Sequence, residues 1–273
     1  MLRIGRIDYA NCTPIFRALQ EHFPCDDYAF VGGVPARLNG MLAAGEIDIC
    51  PSSSIEYAIH PDRYLILPDL SISSAGPVAS VLLFSRTAPE ALDGLEIMLS
   101  AESATSVNLL KILMAKRFGC SCRFTVSHQP PADALRTASA MLLIGDAALR
   151  SSMAGSGLQV YDLGSLWYEW TGLPFVFALW FCTRVAAQER HREVQILAER
   201  LVMAKAYAGR ERERIAAASP EVTWMGQEQL IAYWRDNIAY ELGGAQQEGL
   251  RLFYDLSAEL GLISRAPELC FFE

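Results

Sequence analysis

Leu2-Arg3-Ile4-Gly5-Arg6-Ile7, then Asp8-Tyr9-Ala10-Asn11-Cys12, then Thr13-Pro14-Ile15-Phe16-Arg17-Ala18-Leu19 opens the chain. The first six residues alternate apolar and polar as a short strand does, while Ile15, Phe16 and Leu19 recur at helical spacing. A strand over Leu2 to Ile7 therefore feeds a helix over Thr13 to His22. The pattern repeats downstream. Tyr28 to Val31 reads as a strand, Pro35 opens a helix carrying Leu38, Met41 and Leu42, and Gly45 stands where a helix C-cap belongs. Ile47 to Cys50 is a third strand ending at Pro51, followed by a helix over Ser52 to Ile59 and a strand over Tyr64 to Leu67. This alternation predicts an α/β fold with a mostly parallel sheet and its ligand site at the loops after the strands.

Beyond this block, Val78 to Phe84 reads as a long apolar strand, and the chain changes character after Arg86. A second α/β set follows: strands over Glu96 to Leu99, Ser121 to Val126 and Ala140 to Ile144, with helices over Ala104 to Phe118 and Ala132 to Thr137. Gly145-Asp146 closes the last of these strands. Phe175 to Thr183 is a second long strand, apolar throughout and so expected to be buried on both faces. Val185 to Tyr207, Glu228 to Tyr240 and Gln246 to Leu260 are helical, and the charge run from Glu189 to Arg214 reads as a solvated helix face. The expected layout is two lobes with the ligand cleft between them: lobe I from residues 1–84 plus 185–273, lobe II from 85–184. Proteins built this way close by hinging.

The 273 residues suffice for two cores, and a net charge of −8 argues against a nucleic-acid partner, which needs a basic face. The first residues lack the apolar core of an export signal, and the apolar run Leu173 to Cys182 is too short to span a bilayer. A cytoplasmic protein without a membrane partner is the expectation, acting as a monomer or homodimer. Seven scattered cysteines fit reduced thiols, and neither they nor the four histidines have metal-ligand spacing. Phosphate-loop, zinc-peptidase, nucleophile-elbow and complete dinucleotide-binding motifs are all missing. The expectation is chemistry with no metal and no cofactor.

Hydroxyls and small residues collect where strands end and helices begin. Ser52, Ser53 and Ser54 precede one helix, and Ser103, Thr105 and Ser106 flank the start of another. Free N–H groups at a helix start beside such hydroxyls bind carboxylates without Lys or Arg. The same residues also serve as plain N-caps, and the sequence leaves both readings open. Ser71 to Ser74 reads as a loop leading into the first long strand, with Ser80 just inside that strand. Asn11 follows the first strand as a ligand contact or a turn residue, and Gly145-Asp146 is equally a turn.

Taken together, Asp8 to Pro14, Gly45 to Tyr57, Gly76 to Ser85, Ser103 to Ser106, Ile144 to Ala148 and Leu173 to Trp180 resemble the chorismate dehydratases of the futalosine route to menaquinone. The likeness covers essentially the whole chain, including Gln247-Glu248-Gly249-Leu250 near its end. It implies a type II periplasmic-binding-protein-like fold used as a cytoplasmic enzyme, with chorismate as small-molecule substrate and 3-[(1-carboxyvinyl)oxy]benzoate as product. It also implies Asn11 and Ser80 as catalytic residues. Ser52, Ser53, Ser54, Ser103, Thr105 and Ser106 would then hold the carboxylates, with Gly145 and Asp146 nearby.

A sister family acting on cyclic dehypoxanthinyl futalosine is expected to carry a histidine after the strand corresponding to Ala140–Ile144. Gly145-Asp146 stands there instead, which favours the dehydratase. A stand-alone solute-binding protein would share the fold but would need an export or lipidation signal. A sensor domain of a transcription regulator would need a DNA-binding helix-turn-helix ahead of the first strand.

Overall fold

The computed structural model describes the chain except residues 101, 103, 128, 131, 132, 135, 137 and 156. The expected helix over Ala132–Thr137 lies half outside the described residues, and the expected site residue Ser103 lies wholly outside them.

Two five-stranded sheets form the frame. The first contains β1 (Leu2–Ile7), β2 (Tyr28–Gly33), β3 (Ile49–Ser53), β4 (Tyr64–Ser74) and, from far along the chain, β10 (Phe175–Thr183), in the order β2-β1-β3-β10-β4. The second contains β5 (Val81–Ser85), β6 (Glu96–Ser100), β7 (Arg123–Ser127), β8 (Ala140–Ile144) and β9 (Gln159–Asp162), in the order β7-β6-β8-β5-β9. Each is a parallel trio joined to an antiparallel strand that arrives from the other lobe: β10 beside β3 and β4, β5 beside β8 and β9. The two lobes thus share one topology that no sequence repeat announced.

Between the strands run α1 (Thr13–His22), α2 (Pro35–Ala43), α3 (Ser54–Ile59), α4 (Ala104–Ile112, extended by a π turn over Leu113–Arg117), α5 (Gly145–Ala154) and α6 (Leu163–Thr171). After β10 come α7 (Arg184–Glu189), α8 (His191–Arg210), α9 (Arg212–Ala217), α10 (Val222–Met225), α11 (Gln227–Asp236) and α12 (Gly244–Glu259). α1 lays Ile15, Phe16 and Leu19 into the core and packs along α8, as its spacing predicts.

The chain passes from the first sheet to the second at 75–80 and returns to the first at 163–174. An apolar run looks the same whichever sheet it pairs with, and here β5 already belongs to the second sheet while β10 has returned to the first. β3 also runs through Pro51 to Ser53, and the helix begins only at Ser54. Pro51 lies beyond the β1–β3 pairing at Ile4↔Ile49, where that side of the strand has no ladder bond to lose. Ser71 to Ser74 is strand, paired with β10 and tied at Ser73 to Ala239.

β10 is buried along nearly its whole length because it is central, with β3 on one side and β4 on the other. In the second sheet the two-residue period sorts side chains between faces. Val81, Leu83, Leu142 and Ile144 join the main core, which runs through both lobes, whereas Leu82, Phe84, Met141 and Leu143 form a separate cluster on the other face. At about 25 cal/mol per Å² of apolar surface removed from water, such burial dominates the stabilisation. Gly249 lets α12 touch the start of β10: a Cβ there would lie 2.0 Å from the Pro174 carbonyl oxygen.

Candidate active site

Where the carboxyl ends of β1, β3 and β8 face one another, a cavity lies between the lobes. Its polar lining comes from Tyr9, Asn11 and Cys12 after β1, Ser53 at the end of β3, Ser80 before β5, Ser106 in the first turn of α4, and Gly145 at the start of α5. Ile7, Ile72, Val81, Ile144 and Phe177 supply apolar walls. α1, α4 and α5 all begin here, so each turns the positive end of its peptide dipoles toward the cavity.

Of the residues expected from the sequence, the fold brings Asn11, Ser53, Ser80, Ser106 and Gly145 around this one space. The Asn11 side-chain oxygen is buried and has no hydrogen-bond partner among the described residues. The remaining expected residues that the structure describes are occupied elsewhere. Successive strand residues face opposite ways, so with Ser53 on the cavity Ser52 turns to α2, donating to Asn39 Oδ1 at 2.5 Å. Ser54 donates to the Val176 carbonyl at 2.7 Å. Thr105 Oγ1 accepts the Ile55 N–H at 3.1 Å and lies 3.4 Å from Ser54 Oγ, so it caps a lobe I helix from lobe II. Asp146 accepts the Ala10 N–H at 3.0 Å, another bond between lobes.

Gly145 is required on two counts. Its φ is +57°, and a Cβ would lie 2.7 Å from the Tyr9 ring. The Tyr9 phenol donates to Glu102 Oε2 at 2.6 Å, so this side chain lies across the cleft with both its ring and its hydroxyl on lobe II.

A layer of residues with no local sequence signal holds the lining in place. Tyr240 donates to the Asn11 carbonyl at 2.7 Å, and Trp234 Nε1 to the Ala10 carbonyl at 2.7 Å. Tyr233 donates to Ser80 Oγ at 2.8 Å. Ser80 follows Ala79, whose φ of +58° is unusual for a residue with a Cβ. The Asp162 carboxylate secures that turn by accepting the Val78 N–H at 3.1 Å and the Ala79 N–H at 2.6 Å, while also capping α6 through Ser165 N–H at 3.0 Å. An Asp three residues ahead of a Ser at a helix start was a signal available in the sequence. The tyrosines and tryptophan reach the site from more than 150 residues away, and no spacing rule finds them.

Burial sets the titration of the site. It holds the Asp146 carboxyl above its ordinary range, with the nearby Glu221 and Glu102 charges adding to the effect and the Ala10 N–H and Arg150 opposing it. Burial likewise pushes the Cys12 thiol and the Tyr9 phenol up, so both stay protonated at neutral pH.

Solved structures with the same architecture include protein AF1704 from Archaeoglobus fulgidus, with a TM-score of 0.78 at 19% identity, covering 96% of this chain and 98% of that one. The periplasmic aliphatic sulphonate binding protein SsuA from Escherichia coli matches with a TM-score of 0.69 at 16% identity, covering 98% and 90%. These establish a two-lobed periplasmic-binding-protein-like fold. In sequence, the chain is 32% identical over 267 residues to a chorismate dehydratase of Thermus thermophilus, covering 92% of this chain and 93% of the relative. It is 32% identical over 187 residues to a chorismate dehydratase of Campylobacter jejuni, covering 67% and 68%. Residues 2–259 match the profile of a family described as menaquinone biosynthesis, and the chain belongs to that family.

Proposed function

We propose that this protein is a cytoplasmic hydro-lyase that removes water from chorismate to give 3-[(1-carboxyvinyl)oxy]benzoate, without metal or cofactor. The observation that carries the reading is the likeness to proteins named chorismate dehydratase along nearly the full chain. The lining of the cavity supports it. Breaking the C3–H and C4–O bonds and forming the C3–C4 double bond makes the ring aromatic, so the driving force lies in the substrate. The barrier is removal of a weakly acidic proton, eased because the carbanion at C3 is conjugated to the ring carboxylate.

Among the described residues, no Asp, Glu, His or Lys lines the cavity, and its ionisable groups, Tyr9 and Cys12, are both held protonated by burial. The base in this reading is the substrate's own enolpyruvyl carboxylate, tethered through the ether oxygen on C3. The unpartnered Asn11 oxygen is an acceptor, and the C4 hydroxyl is the only O–H of chorismate in its dianion form. Asn11 therefore orients the group that leaves, and Ser80 donates a hydrogen bond to the substrate that strengthens as charge develops in the transition state. The hydroxyls of Ser53 and Ser106 and the starts of α1, α4 and α5 hold the two carboxylates. Thr105, Ser54 and Asp146 serve the same reaction by joining the lobes around it. Seven unpaired cysteines agree with a reducing compartment, and no described helix is long and apolar enough to cross a membrane.

The test is to mix the purified protein with chorismate, follow the loss of its absorbance, and identify the product by mass. A product lighter by one water is expected. Chorismate that binds and stays intact would sink the reading, and cyclic dehypoxanthinyl futalosine would be the next ligand to try.

A further inference from the structure

We infer that Tyr233 is a positioning residue that aims the Ser80 hydroxyl at the substrate. The inference rests on the reading above, in which Ser80 contacts chorismate. A serine hydroxyl has one proton and rotates freely unless its surroundings choose a direction. Here the buried Tyr233 phenol, on α11, donates to Ser80 Oγ at 2.8 Å and so fills one side of that oxygen. The protein acceptor for the Ser80 proton is the Val78 carbonyl, 3.3 Å away and already receiving the Ser80 N–H at 2.7 Å. That is long for a bond between oxygens, which is ordinarily about 2.7–2.8 Å. A ligand oxygen in the cavity that Ser80 lines is a better acceptor, and the proton turns to it.

The backbone beneath is fixed independently. Asp162 holds the N–H groups of Val78 and Ala79, and the Ser80 carbonyl accepts the Gly145 N–H at 2.8 Å. Position and direction of the hydroxyl are therefore set by different residues, Asp162 with Gly145 for the first and Tyr233 for the second. Burial pushes the phenol's titration up, so it stays protonated and a donor at neutral pH.

The experiment is a double-mutant cycle of Tyr233→Phe and Ser80→Ala, with kcat and KM for chorismate loss and a thermal melt for each of the four proteins. Tyr233→Phe keeps the ring and its packing. It is expected to lower kcat about tenfold, the worth of one hydrogen bond, with KM changed less than about twofold. In the Ser80→Ala background it is expected to lower kcat no further. An equal fall in both backgrounds would mean that Tyr233 acts through packing, and an unchanged kcat for Tyr233→Phe alone would remove its role altogether. Full turnover by Ser80→Ala alone would overturn the Ser80 reading and this inference with it. Loss of turnover in Ser80→Ala with none in Tyr233→Phe would overturn only the inference.

Discussion

The Tyr9 hydroxyl, carried on the first turn of lobe I, donates to Glu102 on lobe II at 2.6 Å, and the same ring rests on Gly145. The bond ties the two lobes across the cleft, so closure over a substrate is expected to depend on it. A hydrogen bond to a carboxylate contributes about 1.5–3 kcal/mol, and this partly exposed one belongs at the low end. Tyr9→Phe retains the ring contact and loses only the bond. It is expected to raise the KM for chorismate about tenfold, with kcat within about twofold of wild type. Steady-state kinetics decides this, and an unchanged KM would show that the bond contributes nothing to closure.

Asn11 combines a buried, unpartnered oxygen with a place on the cavity wall. An unsatisfied buried acceptor costs the fold about 1–3 kcal/mol until a ligand satisfies it. Asn11→Ala should therefore separate activity from stability, lowering kcat by about 100-fold or more while leaving the melting temperature equal or higher. Near-normal turnover, or a melting temperature several degrees lower, would contradict this account of the residue.

Much of the fold was legible because hydrophobic period reports on elements directly: β1, α1, β8 and β10 have the limits that the spacing predicts. Sheet membership was less legible, since the apolar run through β5 does not say which sheet it joins. Of the site, Asn11, Ser53, Ser80, Ser106 and Gly145 were visible as polar or small residues at strand ends. Ser52, Ser54 and Thr105 carry the same signal but spend it on Asn39, Val176 and Ile55. Which hydroxyl faces a ligand depends on strand phase and on the other lobe, and a short Ser run contains neither. Tyr233, Trp234 and Tyr240 were invisible because their partners are distant in sequence, although near in space.

Gly249 gives a prediction about stability alone. Its Cα lies against the Pro174 carbonyl, where an added methyl would sit 2.0 Å from a backbone oxygen. Neither α12 nor the start of β10 can give way cheaply, because Phe175 and Phe253 pack edge to face just beyond, with ring centroids 5.0 Å apart. Gly249→Ala is expected to cost about 1–3 kcal/mol or more despite the better helix propensity of alanine. Urea unfolding measures it, and a stabilised variant would mean that the helix moves aside freely.

Asp146 gives a prediction that depends on pH. Burial, reinforced by the Glu221 and Glu102 charges, raises its carboxyl above the ordinary 3.8 in spite of the Ala10 N–H and Arg150. The folded protein therefore holds this proton more tightly than the unfolded chain, and ionisation counts against the fold. The cost is absent below pH 3.8, grows as pH rises through the folded value, and is constant above it. Asp146→Asn keeps an oxygen to accept the Ala10 N–H and has no charge to bury. The variant is expected to be more stable than wild type at pH 7, with the difference shrinking as the pH is lowered toward 3.8. Denaturant unfolding of both proteins across that range tests the sign. A variant less stable than wild type at pH 7 would mean that the ionised carboxylate is, on balance, stabilised by its bond across the cleft.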